Sequence, residues 1–232
     1  MTLNRFYEAL ITMYLEFNHL LDAYYEVVNL INEQGRDEIT EDGEYTLTLD
    51  EPLTIKIKNP TTATIFPYGL GEKSALVYAH QMMYPTRDND FEYTYGLRLR
   101  RYSSYDKAEI DQIENIINRL DENPSTRRAV ASIYDPHLDY NGSKIPCMNH
   151  VQFRVVGGKL DCYVLFRSQD MLSAWFLNCY GLTSLLNYVR GGVKRWYEKG
   201  SLIITANCPH IYPKRDKDVL DRVLKEREIR QR

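Results

Sequence analysis

The stretch from Asp170 to Arg190, DMLSAWFLNCYGLTSLLNYVR, limits the fold more than any other part of the chain. Its apolar residues do not keep to one stripe, so an amphipathic surface helix is a poor fit. It holds Ser173, Asn178, Ser184 and Asn187 among them, and no run reaches the roughly 20 apolar residues of a spanning helix. The spacing predicts a helix over 170–190, closed by Gly191-Gly192 and buried inside a protein core. A helix buried on all sides needs further layers around it.

Other segments supply those layers. Residues 4–33 read as a long amphipathic helix. Phe6, Leu10, Tyr14, Phe17, Leu21, Tyr24, Val28 and Ile31 recur at spacings of three and four, and Gly35 is the stop. Residues 44–58 hold two strands, TLTLD and LTIKI, separated by Pro52. A loop over 60–72 precedes a short helix over 73–84 that ends at Pro85. A second amphipathic helix spans 107–121, with Ile110, Ile113, Ile116, Ile117 and Leu120 on one face and Asn123-Pro124 as its stop. Strands follow at 127–134, 150–157 and 160–167, the last two joined as a hairpin through Gly157-Gly158. A strand over 201–206 and a charged helix over 215–229 complete the chain. With no repeat, low-complexity tract or linker in 232 residues, one α+β domain over 1–232 is expected.

The formal charge of -3 points away from a nucleic-acid polymer or an anionic membrane as partner. A local arginine cluster can still bind a small anion. Cys147, Cys162, Cys179 and Cys208 form no CxxC pair and have no His at zinc-finger spacing, so free thiols in a reducing, cytoplasmic setting are expected. Glu8, Glu16, Asp22 and Glu26 break up the N-terminal apolar residues, which excludes a signal peptide there.

Cys147 sits in IPCMNHVQF, just before a strand, where a thiol can be held at a cavity edge. Free cysteines more often serve as small buried hydrophobes. A reactive one needs positive charge nearby to stabilise its thiolate. Arg127-Arg128 in STRRAVASIYDP and Arg167 in LFRSQDM are the candidates, and their guanidinium forks also suit phosphate oxygens. Taken singly, each arginine reads equally well as a solvated or salt-bridged side chain.

Several short motifs then fall in one order: Tyr95-Gly96, Arg127-Arg128 after NPST, Pro146-Cys147 with Gln152-Phe153, Arg167-Ser168 with Asp170, Asn178, and His210 with Tyr212. Together, over roughly residues 90–215, they resemble the thymidylate synthase family, in its short archaeal-type and phage-type branches. The resemblance implies a mixed sheet flanked by helices, with a sheet face used to form a homodimer. It implies that Cys147 adds to C6 of a pyrimidine nucleotide and turns C5 into a nucleophile. By the same resemblance Arg167 and Ser168 hold the phosphate, and Arg127 and Arg128 reach the phosphate in the neighbouring subunit. His210 and Tyr212 bond the deoxyribose hydroxyl, Asp170 meets the base region through its backbone, and Asn178 reads the base edge. Tyr95 and Gln152 complete the site, and Arg36 in EQGRDE matches a further phosphate-binding arginine.

Uracil offers an acceptor at O4 beside a donor at N3, and the Asn178 carboxamide can pair with both, so dUMP is the expected substrate. The one-carbon donor implied is 5,10-methylenetetrahydrofolate or a related pterin. Four departures from the family pattern stand out, one of them Phe176-Leu177-Asn178 where the family has Pro-Phe-Asn. The helix before Tyr95-Gly96, KSALVYAHQMMYP, lacks the usual proton-relaying Glu, with Glu72, Tyr78 and His80 as possible substitutes. Met148 follows the nucleophile where His is common. The chain ends 20 residues after Tyr212 without an apolar closing segment. A thymidylate synthase is therefore expected, with a dUMP hydroxymethylase and a catalytically inactive nucleotide-binding homologue as alternatives.

Overall fold

The computed structural model describes residues 13–86, 94–103, 108–140 and 145–231. In chain order the elements are β1 (Met13–Phe17), α1 (Leu20–Gln34), β2 (Arg36–Ile39), β3 (Tyr45–Thr48), β4 (Leu53–Ile57), α2 (Glu72–Met83), α3 (Tyr95–Arg100), β5 (Tyr102–Ser103), β6 (Glu109–Ile110), α4 (Gln112–Glu122), β7 (Val130–Ser132), α5 (Pro136–Asp139), β8 (Met148–Val156), β9 (Lys159–Phe166), β10 (Gln169–Asp170), α6 (Trp175–Gly192), β11 (Glu198–Ala206), β12 (Pro209–Ile211) and α7 (Lys217–Arg230). This is the expected α+β mixture.

Six strands form a mixed sheet in the order β1-β4-β11-β9-β8-β7. Alternation fixes its two faces. Leu53, Ile55 and Ile57 on β4, and Leu202 and Ile204 on β11, point inward and are 0–1% exposed. Thr54 and Thr205 point outward and join through their hydroxyls at 2.9 Å. The parallel pair β9 and β11 flanks α6 in sequence, so α6 is a crossover helix laid on the inner face. That location explains its composition. Trp175, Phe176, Cys179, Leu182, Leu185, Leu186 and Val189 are fully buried in the main core.

The β8–β9 hairpin turns at Gly157-Gly158, whose φ values of 57° and 79° are those a two-residue primed turn requires. A smaller sheet in the order β10-β12-β3-β2 stands beside the large one. The two strands expected over 44–58 therefore do not pair with each other; β3 joins the small sheet and β4 the large one.

Some boundaries differ from expectation. The helix expected over 4–33 begins at Leu20, while its residues 4–12 lie outside the described residues. Tyr14 and Phe17 belong to β1, which runs parallel to β4; Met13, Leu15 and Phe17 face the core at period two. Gly35 does end α1, its N–H bonding Ile31 O at 2.8 Å. The helix expected over 107–121 starts at Gln112, because Asp111 caps it by accepting from Ile113 and Glu114 N–H. Ile110 is then an exposed strand residue rather than part of the helix face. The buried helix starts at Trp175, because Gln169 and Asp170 pair as strand with Pro209 and His210.

Candidate functional site

Cys147 lies immediately before β8 and is half-buried. Its carbonyl accepts the Arg167 N–H at 2.8 Å, which ties the start of β8 to the end of β9. Arg167 folds back along the same segment. Its Nη2 donates to Ile145 O at 2.7 Å and lies 3.9 Å from Cys147 Sγ; its Nε donates to Pro146 O at 3.2 Å. Burial pushes the Cys147 thiol above its usual range, the Arg167 charge opposes that shift, and the Asp170 carboxylate adds to it. Burial thus favours the neutral thiol, and the Arg167 guanidinium beside it favours the thiolate.

Tyr95 reaches the residue that follows the thiol. It opens α3, capped by Thr94 Oγ1, which accepts from Leu97 N–H at 3.2 Å. Its hydroxyl accepts from Met148 N–H, next to the thiol, at 3.3 Å. Gly96 makes this possible, since a Cβ there would sit 2.0 Å from Tyr84 O at the end of α2. The Tyr95-Gly96 pair therefore couples a backbone contact with a side-chain position.

The short parallel pair β10–β12 assembles the next group. Gln169 N–H donates to Cys208 O at 3.1 Å and Met171 N–H to His210 O at 2.8 Å. Ser168 Oγ lies 3.5 Å from His210 Nδ1, which is 3.0 Å from Cys208 O. A carbonyl only accepts, so Nδ1 carries the proton and Nε2 is the acceptor of the neutral ring. Tyr212 packs edge-on to His210, with centroids 5.0 Å apart. One row of cross-strand partners, Asp170, His210, Thr48 and Arg36, crosses the small sheet. At roughly 4.8 Å per strand, Arg36 stands about 10 Å from His210. Arg36 is exposed there and pairs with Asp50 at 2.8 Å.

Asn178, in the second turn of α6, is 3% exposed. Its Nδ2 donates to Gln169 Oε1 at 3.3 Å, and its Oδ1 accepts from the Tyr78 hydroxyl on α2. Of the three residues considered for the missing Glu, only Tyr78 has this contact. Glu72 is exposed at the start of α2, and His80 is exposed and stacks on Tyr84 at 4.7 Å.

The Asp170 side chain is engaged within the chain. Its Oδ1 accepts from Leu172 and Ser173 N–H at 3.1 and 2.9 Å, and its Oδ2 from Arg215 Nη2 at 2.8 Å. Arg215 also pairs with Asp216 and lies over the Tyr212 ring at 3.9 Å. Sequence reading missed Arg215 and Gln169, although both lie beside motif residues. Gln152 does not join the cluster. It alternates with the buried Val151 and Phe153 and spends its Nε2 on Arg127 O at 3.0 Å. Arg127 and Arg128 are exposed just before the edge strand β7, which pairs with His150, Val151 and Gln152 of β8. Six residues of strand from Cys147 to Phe153 make their separation from Cys147 roughly 20 Å.

Among the described residues, no group of three or more His, Cys, Asp or Glu side chains could hold a metal ion. Nor is any helix there long and apolar enough to cross a membrane.

The thymidylate synthase family model matches residues 72–231, a longer stretch than the motifs alone had marked. A Methanosarcina acetivorans protein named "Putative thymidylate synthase" is 35% identical over 208 residues, covering 89% of this chain and 92% of that protein. A Methanocaldococcus jannaschii protein of the same name is 35% identical over 201 residues, covering 81% and 89%. One from Methanosarcina barkeri is 32% identical over 211 residues, covering 88% and 91%.

Proposed function

The chain belongs to the thymidylate synthase family, and on that premise we propose that it transfers a one-carbon unit to C5 of dUMP through a covalent Cys147 adduct at C6, giving dTMP. The main support is the convergence of the Cys147 thiol, the Arg167 guanidinium 3.9 Å away and the Tyr95 hydroxyl on the neighbouring Met148 N–H. A nucleophile, a cation and a hydroxyl meet there at one strand end.

Arg167 and Ser168 bind the nucleotide phosphate, and His210 Nε2 accepts from the deoxyribose hydroxyl with Tyr212 beside it. Asn178 donates from Nδ2 to O4 and accepts from N3–H at Oδ1. As Sγ bonds to C6, the C5–C6 π pair moves toward C5 and O4, and Nδ2 meets the charge growing on O4. C5 then attacks the one-carbon unit. Tyr95 serves the later loss of the C5 proton, as the bond from the one-carbon unit to the donor's nitrogen breaks and leaves a methylene on C5; hydride added to that methylene then expels Sγ from C6 and restores the ring double bond.

The donor is 5,10-methylenetetrahydrofolate or a related reduced pterin. Asp170 suits its amino edge, because a carboxylate offers about four acceptor positions and Leu172, Ser173 and Arg215 occupy only three here. When bound, such a donor supplies the electrophilic carbon and the hydride that completes the methyl group. We assign the outer face of the large sheet to a homodimer, in which Arg127 and Arg128 serve the neighbouring subunit's phosphate. Their roughly 20 Å distance from Cys147 in one chain supports that arrangement. Arg36 is a further ligand, across the small sheet, of the phosphate that Arg167 and Ser168 hold in its own subunit.

The test is incubation with dUMP and methylenetetrahydrofolate, followed by mass analysis of the product. A gain of one methyl group is expected. A hydroxymethyl product would replace the hydride step by water capture. Cys147→Ala should bind dUMP without turnover, and full activity in that variant would overturn the mechanism.

A further inference from the structure

A carboxamide does not by itself choose uracil over cytosine. Uracil shows O4 and N3–H, while cytosine shows an amino group and a bare N3. Turning the Asn178 amide by 180° exchanges its oxygen and nitrogen, and the turned amide fits cytosine as well as the first fits uracil. Discrimination therefore depends on what prevents the turn.

A directed chain of hydrogen bonds supplies that restraint. It begins at a backbone carbonyl, Asp170 O, which can only accept. Gln169 Nε2 donates to it at 3.2 Å. The other arm of the same amide, Gln169 Oε1, accordingly faces Asn178 and accepts from Nδ2 at 3.3 Å. Asn178 Oδ1 then lies on the opposite side and accepts from the Tyr78 hydroxyl. Gln169 and Asn178 are 2% and 3% exposed, so water does not repair a wrong pairing. Turning Asn178 alone sets its oxygen against Gln169 Oε1. Turning both amides sets Gln169 Oε1 against Asp170 O. The anchor itself is fixed, because Gln169 N–H and Met171 N–H bond Cys208 O and His210 O across β10–β12.

With these partners in place, Nδ2 keeps one hydrogen and Oδ1 one lone pair for a ligand. That pattern complements O4 and N3–H of uracil. Cytosine would set its amino group against the remaining Nδ2 hydrogen. We propose that Gln169 and Tyr78 are positioning residues that hold the Asn178 amide in the uracil-reading orientation, with the backbone of β10 as the reference for polarity. This rests on dUMP as the ligand of the site. It makes pyrimidine choice a property of the α2–α6–β10 junction rather than of Asn178 alone.

The experiment measures binding of dUMP and dCMP by calorimetry to the full-length protein and to Gln169→Met, Tyr78→Phe and the double variant. Met keeps the length and volume of Gln without its polar ends. Wild type should prefer dUMP. Loss of one hydrogen bond should erode that preference about fivefold, with Gln169→Met the stronger and the double variant the strongest. Part of the erosion must be a gain in dCMP binding, which general damage to the fold does not produce. An unchanged dUMP/dCMP ratio in folded variants, or equal weakening of both nucleotides, overturns the proposal. Failure of wild type to bind dUMP overturns the ligand assignment first, and the positioning role with it. Should Gln169→Met melt below the assay temperature, the half-buried Tyr78→Phe decides on the same ratio.

Discussion

Replacing Arg167 by Gln removes a cation whose charge lowers the Cys147 pKa and should make that thiol less reactive. Nη2 stands 3.9 Å from Sγ. Two unit charges at that distance attract by about 1 kcal/mol in water and about 4 kcal/mol at an effective dielectric of 20. The guanidinium reaches solvent, so the lower part of that interval applies, about 1–2 kcal/mol. Loss of this attraction adds to the upward push that burial already gives the thiol. Below its midpoint, alkylation of Cys147 by iodoacetamide should slow about tenfold in the variant. Peptide mass analysis over pH 6–10 reads the rate at Cys147, with exposed Cys208 as an internal reference and buried Cys162 and Cys179 as silent positions. Asp170→Asn should move the midpoint the other way, because that carboxylate raises it. An unchanged or lowered midpoint in Arg167→Gln would refute the assignment of Arg167 as the thiolate's electrostatic partner.

Alkaline pH should destabilise the fold before tyrosines titrate. Burial raises the Cys162 and Cys179 thiols, so both stay protonated in the folded chain after unfolded thiols ionise. Stability is then complete below about pH 8.5 and falls by about 1.4 kcal/mol per pH unit per thiol above it; urea melts should show a shallower fall in Cys179→Ala. Gly96→Ala should cost more than about 2 kcal/mol in the same melts, since its Cβ meets Tyr84 O at 2.0 Å and Gln81 O at 2.4 Å; a neutral result would mean that α2 and α3 can separate freely. Asn178→Asp should weaken the preference for dUMP over dCMP, measured as the ratio of their dissociation constants, because a carboxylate accepts and a cytosine amino group donates.

Much of the architecture was legible because it rests on period. Alternation marked β4, β8, β9 and β11, and spacings of three and four marked α1 and α4. The lack of a single apolar stripe marked α6 as buried. Legibility failed where a segment is short or follows two periods at once. Met13–Phe17 fits a helical spacing and a strand alternation equally, and only the parallel partner β4 decides between them. Two-residue strands such as β10 have too little sequence to show any period, yet β10–β12 brings Ser168 and Asp170 beside His210.

The candidate site divides along the same line. The sequence by itself determined which groups exist and in what order: Cys147, Arg167, Asn178, His210 and the motifs around them. Chemical type is a property of the residue, and motif spacing is a property of the chain. Only the tertiary structure decided orientation and partnership. It put Tyr78 and Gln169 on either side of the Asn178 amide, gave Asp170 to Arg215, and left Gln152 on the Arg127 carbonyl. Those contacts join residues from 9 positions apart, for Gln169 and Asn178, to 100, for Tyr78 and Asn178. No local pattern encodes such a meeting, because hydrogen-bond polarity is set by the neighbours that packing delivers.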